Sequence, residues 1–440
     1  MALQIIPAVV VVIGLILYTL LAGADFGAGV WQLSAGRGEH GGRIRDHAHH
    51  ANAPVWEANH VWLILVITVL WTAYPAVFGA IFSTLAIPIF LAALGIILRG
   101  MSYALQNAAD ARQRRYIDLS FAAASVLTSY MLGTVVGAIA SGRVPPGNAL
   151  GAEVGSWTGP TSILAGFLAV TTGAFLAAVF LAADAERLRE PGLVDSFRAR
   201  ALIAGVVAGA LALAGLFVVR SDAPRLYAGL TSGWGLVPVV ISGVAGLVAM
   251  GLVVLRRFTA ARLSAALAVA AVIIGWAVAQ RPYLLPTTLT VEAAAASDTT
   301  LIALIVSLAV GAAVLFPSLV LLFRLTLAGR FDPTTQGPPP APAGPVSRER
   351  RKHAAQTGIG FFITGFVLLT IAEPAVAHIF GLIFLGIAMF AGFRAVGPVE
   401  LAQRPAPDVS GLVLPRPQTA RRFSASRLVV TLRELLRRPR

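Results

Sequence analysis

The sequence predicts an all-α integral membrane protein with nine to eleven membrane-spanning helices, and three observations predict it. Of its 440 residues, 57% are hydrophobic and 12% charged, with a mean hydropathy of +0.80, so the charged share is about half that of a soluble domain. Apolar runs such as Ile5 to Leu21, Ile81 to Leu98 and Leu301 to Leu315 recur along the chain, most inside segments close to the ~20 residues that cross a bilayer. Small residues repeat at helix-packing spacing in Gly23/Gly27, Gly133/Gly137 and Gly205/Gly209, where backbones can approach although lipid supplies no hydrophobic drive between helices.

Several function classes fall away at once. The chain has no cysteine, which excludes disulfides, thiolate iron–sulfur clusters, Cys-bound zinc and c-type haem attachment. A net charge of +14 would suggest nucleic acid in a soluble protein. Here the arginines gather at the ends of apolar segments and in the C-terminal tail, a pattern of membrane topology with no nucleic-acid partner. Ala22-Gly23-Ala24 resembles a leader cleavage site, but Met1 to Pro7 carries no basic residue, so the first run is read as a span.

Taken in order, the apolar runs predict helices near 5–33, 54–73, 76–104, 116–141, 161–185, 199–220, 236–255, 263–281 and 299–328. Pro54 suits the first turn of the second. Connections one, three, five and seven hold Arg37/Arg43/Arg45, Arg112/Arg114/Arg115, Arg187/Arg189/Arg198/Arg200 and Arg256/Arg257/Arg262. The alternate connections hold only Arg143, Arg220/Arg225 and Arg281. Basic loops stay in the cytoplasm, so the N-terminus is expected outside and the odd connections inside. Residues 331–356 read as a Pro/Gly-rich basic linker, with Pro333 to Val346 followed by Arg348, Arg350, Arg351 and Lys352. Residues 357–396 hold two shorter apolar runs split by Glu373-Pro374, either a tight hairpin, a re-entrant pair or one broken span. Residues 397–440 form a basic cytoplasmic tail. Its last stretch places Leu428, Leu432, Leu435 and Leu436 on one helical face, which fits a membrane-surface helix or a solvated tail equally.

Asp25, Glu57, His60 and Arg99 interrupt apolar segments, where an unpaired ionisable group costs a few kcal/mol or more. Asp25 lies about 12 Å from the inner end of its helix at 1.5 Å per residue. Glu57 and His60 are three apart and share a helix face. With Asn59 between them, these residues read either as a polar track taking protons from the cytoplasm or as a buried ion pair of Arg99 with Glu57 or Asp25 that locks helices together. His60 is read as a bundle or relay residue, not a haem ligand. The histidines His40, His47, His49 and His50 match no standard metal spacing and are expected in a solvated, Arg-rich loop; no metal site is expected. The glycines from Gly23 to Gly29 have neither the preceding strand nor the lysine of a nucleotide loop.

At these residues the chain resembles subunit II of cytochrome bd-type quinol oxidases. Gly23-Ala24-Asp25-Phe26-Gly27 is similar to that family's first-helix element, and Pro54-Val-Trp56-Glu57-Ala-Asn59-His60-Val61-Trp62 to its second-helix signature. Leu98-Arg99-Gly100, and Arg281-Pro282-Tyr283 through Leu289, match further. The resemblance covers about residues 1–330. It implies two four-helix transmembrane bundles, 1–155 and 156–298, plus a peripheral ninth helix, 299–330, with the hydrophobic hairpin of 357–396 as an addition. It implies a haem-bearing subunit I as partner, carrying haem b and haem d, in a complex that oxidises quinol and reduces dioxygen to water in a bacterial or archaeal plasma membrane. Subunit II ordinarily binds no haem itself and holds a structural quinone in some members. The position of Glu57 is implicated in a proton path, with that of Asp25 near it. Ala104 stands where the family often has an acidic residue, which puts a second proton intake there in doubt.

The rival reading is a secondary transporter of two helical repeats. Against it, the ionisable residues sit near one face, and paired short broken helices in corresponding positions of the halves are not evident in the sequence. A purely structural membrane scaffold is the third reading, distinguished from the oxidase by copurification of haem with a partner.

Overall fold

The structure, a computed structural model, describes residues 2–36, 38–106, 111–327 and 348–370, with scattered positions between 377 and 391. The side chains of residues 49–58, 103–106 and 111–115, and several beyond 318, lie outside that description. Contacts divide the chain into two compact units, Met1–Ser318 and Leu319–Arg440.

The first unit opens with α1 (Ala2–Leu33), followed by α2 (Glu39–Ala73). The sequence put a loop and then a helix start at Pro54 here. Instead α2 is continuous from Glu39, because its basic first half hides an apolar face: Ile44 and Ala48 are buried together with His47, at the i, i+3, i+4 spacing of a core-facing stripe. The histidine region is thus helical, with His47 Nε2 donating to the Leu181 carbonyl over 3.1 Å and His40 meeting Ser196 Oγ at 2.9 Å. Position 57 falls well inside α2 and not in its first turn.

The third expected helix is two, α3 (Pro75–Thr84) and α4 (Ala86–Gln106), bent by 83° at Leu85. Pro88 explains the break, since it has no N–H for the Thr84 carbonyl and its ring clashes with that carbonyl in a continuous helix. The chain continues through α5 (Ala111–Ala140), α6 (Pro160–Arg187), α7 (Pro191–Asp222), the short α8 (Pro224–Thr231), α9 (Gly233–Val254) and α10 (Phe258–Gln280). Proline opens α3, α6, α7 and α8, where its missing N–H is harmless and its fixed φ suits the first turn. A two-stranded antiparallel hairpin, β1 (Tyr283–Leu285) and β2 (Leu289–Thr290), leads through α11 (Val291–Ala294) to α12 (Asp298–Leu327). Among the described residues seven helices are long and apolar enough to cross a membrane, or eight if α3 and α4 together make one span; α2 adds the shorter apolar stretch Asn59–Ala73.

Helix α1 packs on α2, α5 and α6, α4 on α5, α6 on α7, and α9 on α10. One apolar core joins Trp31, Leu176, Phe197, Ala249 and Phe258. A second gathers Tyr74, Val77, Leu85, Leu285 and Leu301 near the hairpin. Where the arginine-rich connections meet, Arg43 pairs with Glu190, Arg256 with Asp195 at 2.6 Å and Arg262 with Asp184 at 3.0 Å. There Arg198 also donates to the Val253 and Val254 carbonyls at 3.1 and 2.9 Å, satisfying the C-terminus of α9. At the opposite helix ends Arg143 binds both Asp222 carboxylate oxygens, at 2.9 and 2.5 Å, and Asp222 also accepts from the Thr161 N–H and hydroxyl. The hydrogen bonds from Arg143 to the Asp222 carboxylate hold its guanidinium above its ordinary pKa.

In the second unit, α13 (Arg348–Thr370) begins inside the stretch read as linker and takes in the basic cluster. Its Phe361 ring meets Phe384 edge-on, with centroids 5.3 Å apart, and the two apolar runs approach closely enough that a Cβ on Gly365 would lie 2.8 Å from the Gly381 carbonyl. Pro333 to Val346, Glu373-Pro374 and the tail of 397–440 lie outside the described residues.

Candidate functional site

The site is built on the face of α1 that carries Asp25. Gly23 and Gly27 flank this residue on the side of α6, where a Cβ at Gly27 would run into the Gly173 carbonyl and one at Gly23 would touch Leu176. Their lack of side chains brings the two backbones together. Gly29 does the same toward α5, where a Cβ would overlap Ser125. Asp25 is consequently enclosed, with zero exposure, as are Asn59 on α2 and Arg99 on α4.

The enclosed charges pair with each other. The Arg99 guanidinium donates to Asp25 Oδ1 at 2.5 Å, and Asn59 Nδ2 donates to Asp25 Oδ2 at 3.0 Å. Arg99 also donates to Ser125 Oγ on α5, and Ser125 passes its own hydrogen to the Phe121 carbonyl at 2.6 Å. Two rings close over the cation, Phe26 at 4.6 Å and Phe121 at 4.1 Å from centroid to guanidinium carbon. A desolvated cation gains about 2 kcal/mol or more from such a ring face, which helps offset the loss of water around it.

Of the two pairings open for Arg99, its carboxylate partner among the described side chains is Asp25. His60, half-buried on α2, lies near enough to act electrostatically on Asp25. Trp62 packs with Tyr18, Ala22 and Phe26. Gly100 follows Arg99, half-buried on α4. The side chains of Glu57 and Trp56 lie outside the described residues; the α2 backbone places them one turn before His60 and within one turn of Asn59. Sequence reasoning missed Ser125, Phe121 and Tyr18, and met Phe26 only as part of the first-helix element, because a hydroxyl or ring inside an apolar run is ordinary. The only available signal was that Arg99 needs more donor outlets than one carboxylate provides. Among the described residues no group of three or more His, Cys, Asp or Glu side chains converges as a metal site.

A set of long apolar helices around an enclosed Asp–Arg pair defines a multi-pass membrane protein. The chain belongs to the cytochrome bd terminal oxidase subunit II family, whose pattern it matches over residues 3–326. It is 25% identical to a putative cytochrome bd menaquinol oxidase subunit II of Bacillus subtilis (strain 168) over 236 residues, 52% of this chain and 67% of that protein. Its fold is similar to a chain of the bd oxidase from Geobacillus thermodenitrificans, with a TM-score of 0.58 and 24% identity, covering 74% of this chain and 99% of that one. The family places the chain in an oxidoreductase complex of the membrane, and nothing in these likenesses supports the transporter reading.

Proposed function

We propose that this chain is the non-haem subunit II of a terminal oxidase that oxidises quinol and reduces dioxygen to water, and that its own chemistry is proton delivery through Glu57, His60 and Asp25. Its partner is a haem-bearing subunit I. The b-type haems and haem d held by that partner supply electron transfer and oxygen reduction, and this chain's residues hold and move protons. Residues 1–155 and 156–298 form the two four-helix bundles, 299–330 the peripheral helix, and the rest an appended linker, hairpin and tail. The N-terminus lies outside and the tail in the cytoplasm.

The observation that carries this reading is the enclosed Asp25–Asn59–Arg99 cluster in a chain of this family. Asp25 has each oxygen engaged by a different helix, so α1, α2 and α4 are held in register around one polar point. Asn59 follows Glu57 by two residues on α2. Glu57 therefore lies about 3 Å along the helix axis toward the arginine-rich end, the side from which cytoplasmic protons arrive. In this arrangement Arg99 and Asn59 orient Asp25, and Glu57 and His60 exchange protons.

The test uses the purified complex. Glu57→Gln keeps size and hydrogen bonding but cannot exchange charge, so it is expected to retain its haem while quinol-dependent oxygen uptake falls roughly tenfold or more. Glu57→Asp is expected to retain much of the rate. A Gln variant with full haem and full turnover would refute the assignment.

A further inference from the structure

Among the described residues, three polar atoms near the ion pair have no hydrogen-bond partner: the Tyr18 hydroxyl, Asn59 Oδ1 and Arg99 Nε. All are enclosed, with Tyr18 7% exposed and Asn59 and Arg99 at zero. Tyr18 precedes Asp25 by seven residues on α1, two turns away on the same face and about 10 Å along the axis. Its ring packs with Ala22 and Phe26 against Trp62, Ile96 and Leu132, and its hydroxyl is within electrostatic reach of both Arg99 and Asp25. These atoms belong to α1, α2 and α4 where the three helices meet, and enclosed polar atoms without a partner among the described residues call for a ligand.

The hydrogen-bonding types of these atoms select its chemistry. Arg99 Nε can only donate, Asn59 Oδ1 can only accept, and the Tyr18 hydroxyl does both. A resident metal ion would find only two oxygen ligands here, beside a guanidinium N–H, and an anion finds an amide oxygen opposite it. Water, with two hydrogens and two lone pairs, satisfies all three, and buried polar sites of this kind are where ordered water is found.

We propose that ordered water binds between Tyr18, Asn59 and Arg99, and that Tyr18 is the next proton station beyond Asp25, leading away from the arginine-rich end of α1. This rests on the proton-delivery reading above and extends it. Asp25 gives a proton to the bound water, that water gives one of its own to the Tyr18 oxygen, and the hydroxyl's original proton passes to a second water on the far side. Each O–H bond broken is matched by one formed, tyrosine and the first water are regenerated, and the net change is one proton moved from Asp25 to the far-side water. Arg99 and Asn59 hold Asp25 in place as it takes up and releases each proton.

Tyr18→Phe removes the hydroxyl and keeps the ring packing. In the purified oxidase complex it is expected to retain full haem, lose turnover roughly tenfold or more, and show a larger solvent deuterium isotope effect on oxygen uptake, which a packing role would not change. Full haem with native turnover and an unchanged isotope effect would overturn the proposal. Glu57→Gln, assayed in parallel, separates the two readings. If it is inactive while Tyr18→Phe is fully active, the Tyr18 station fails and proton delivery stands; if both are fully active, proton delivery fails as well. Should Tyr18→Phe not assemble, a high-resolution map of the unmodified complex decides: ordered water about 3 Å from the Tyr18 oxygen supports the site, and a hydroxyl bonded to a partner side chain overturns it.

Discussion

Arg99 carries a charge cut off from bulk solvent, and its protein surroundings replace most of its hydration piece by piece: a carboxylate at 2.5 Å, a serine hydroxyl, and the faces of two rings. Losing one partner of such a pair is worse than losing both, because the survivor is left buried and uncompensated. Arg99→Leu is therefore expected to destabilise the protein by about 3 to 5 kcal/mol, read as early thermal loss of haem from the complex. Asp25→Leu combined with Arg99→Leu is expected to regain part of that loss. A double variant no more stable than the single would show that the pair is not the main reason for either residue. Lysine is not a conservative replacement at 99, since one ammonium neither forks between Asp25 and Ser125 nor lays a plane against aromatic rings. At this scale the sequence singled out the ionisable residues inside apolar runs and was silent about pairing. Asp25 and Arg99 stand out by polarity alone, but the choice between Asp25 and Glu57 as partner depends on how α1, α2 and α4 rotate about their axes, which no local pattern encodes.

Helices met by glycine illustrate the next scale. The pairs at positions 23/27 and 133/137 mark true close approaches, with a Cβ on Gly133 falling 2.6 Å from the Ala165 carbonyl and one on Gly137 2.6 Å from Ser162 Cα. The pair at 205/209 is only half so: a Cβ at Gly205 would overlap Met250, whereas nothing lies within 4 Å of one at Gly209. Gly27→Ala is thus expected to push α1 from α6 and cost about 1 to 3 kcal/mol. Gly209→Ala is expected to be neutral or to add up to about 1 kcal/mol from helix propensity. Thermal unfolding of the two variants in one detergent checks the contrast, and equal effects would mean that the spacing, not the contact, is what counts. Long elements were legible because apolar runs of span length allow little else. The misses have physical causes: the early start of α2 lies under a basic composition that masks Ile44 and Ala48, and the bend at Leu85 follows from Pro88, a single residue inside an otherwise uniform apolar run.

Orientation is a property of the whole molecule, and the structure sharpens how it can be tested. Arg187, Arg189, Arg198, Arg200, Arg256, Arg257 and Arg262 gather where α6, α7, α9 and α10 turn, while Arg143, Arg220, Arg225 and Arg281 lie at the other helix ends. Asp195 and Asp184 pair with some of the first group, yet this does not weaken the argument. The rule weighs basic residues held back during insertion, to which acidic neighbours contribute little. Helix α6 offers the cleanest ruler, since its 28 residues span about 42 Å at 1.5 Å per residue, more than a hydrocarbon core of about 30 Å. Leu150 before it and Leu188 after it are 69% and 58% exposed, so a thiol at either is open to reagent. Because the chain has no cysteine of its own, each single substitution reports alone. With the arginine-rich end in the cytoplasm, Leu188→Cys in intact cells is expected to resist a membrane-impermeant maleimide and to react only after lysis, whereas Leu150→Cys reacts from outside. The reverse pattern would invert the molecule, placing Glu57 and Asp25 toward the outer face and removing the cytoplasmic proton source on which their assigned role depends.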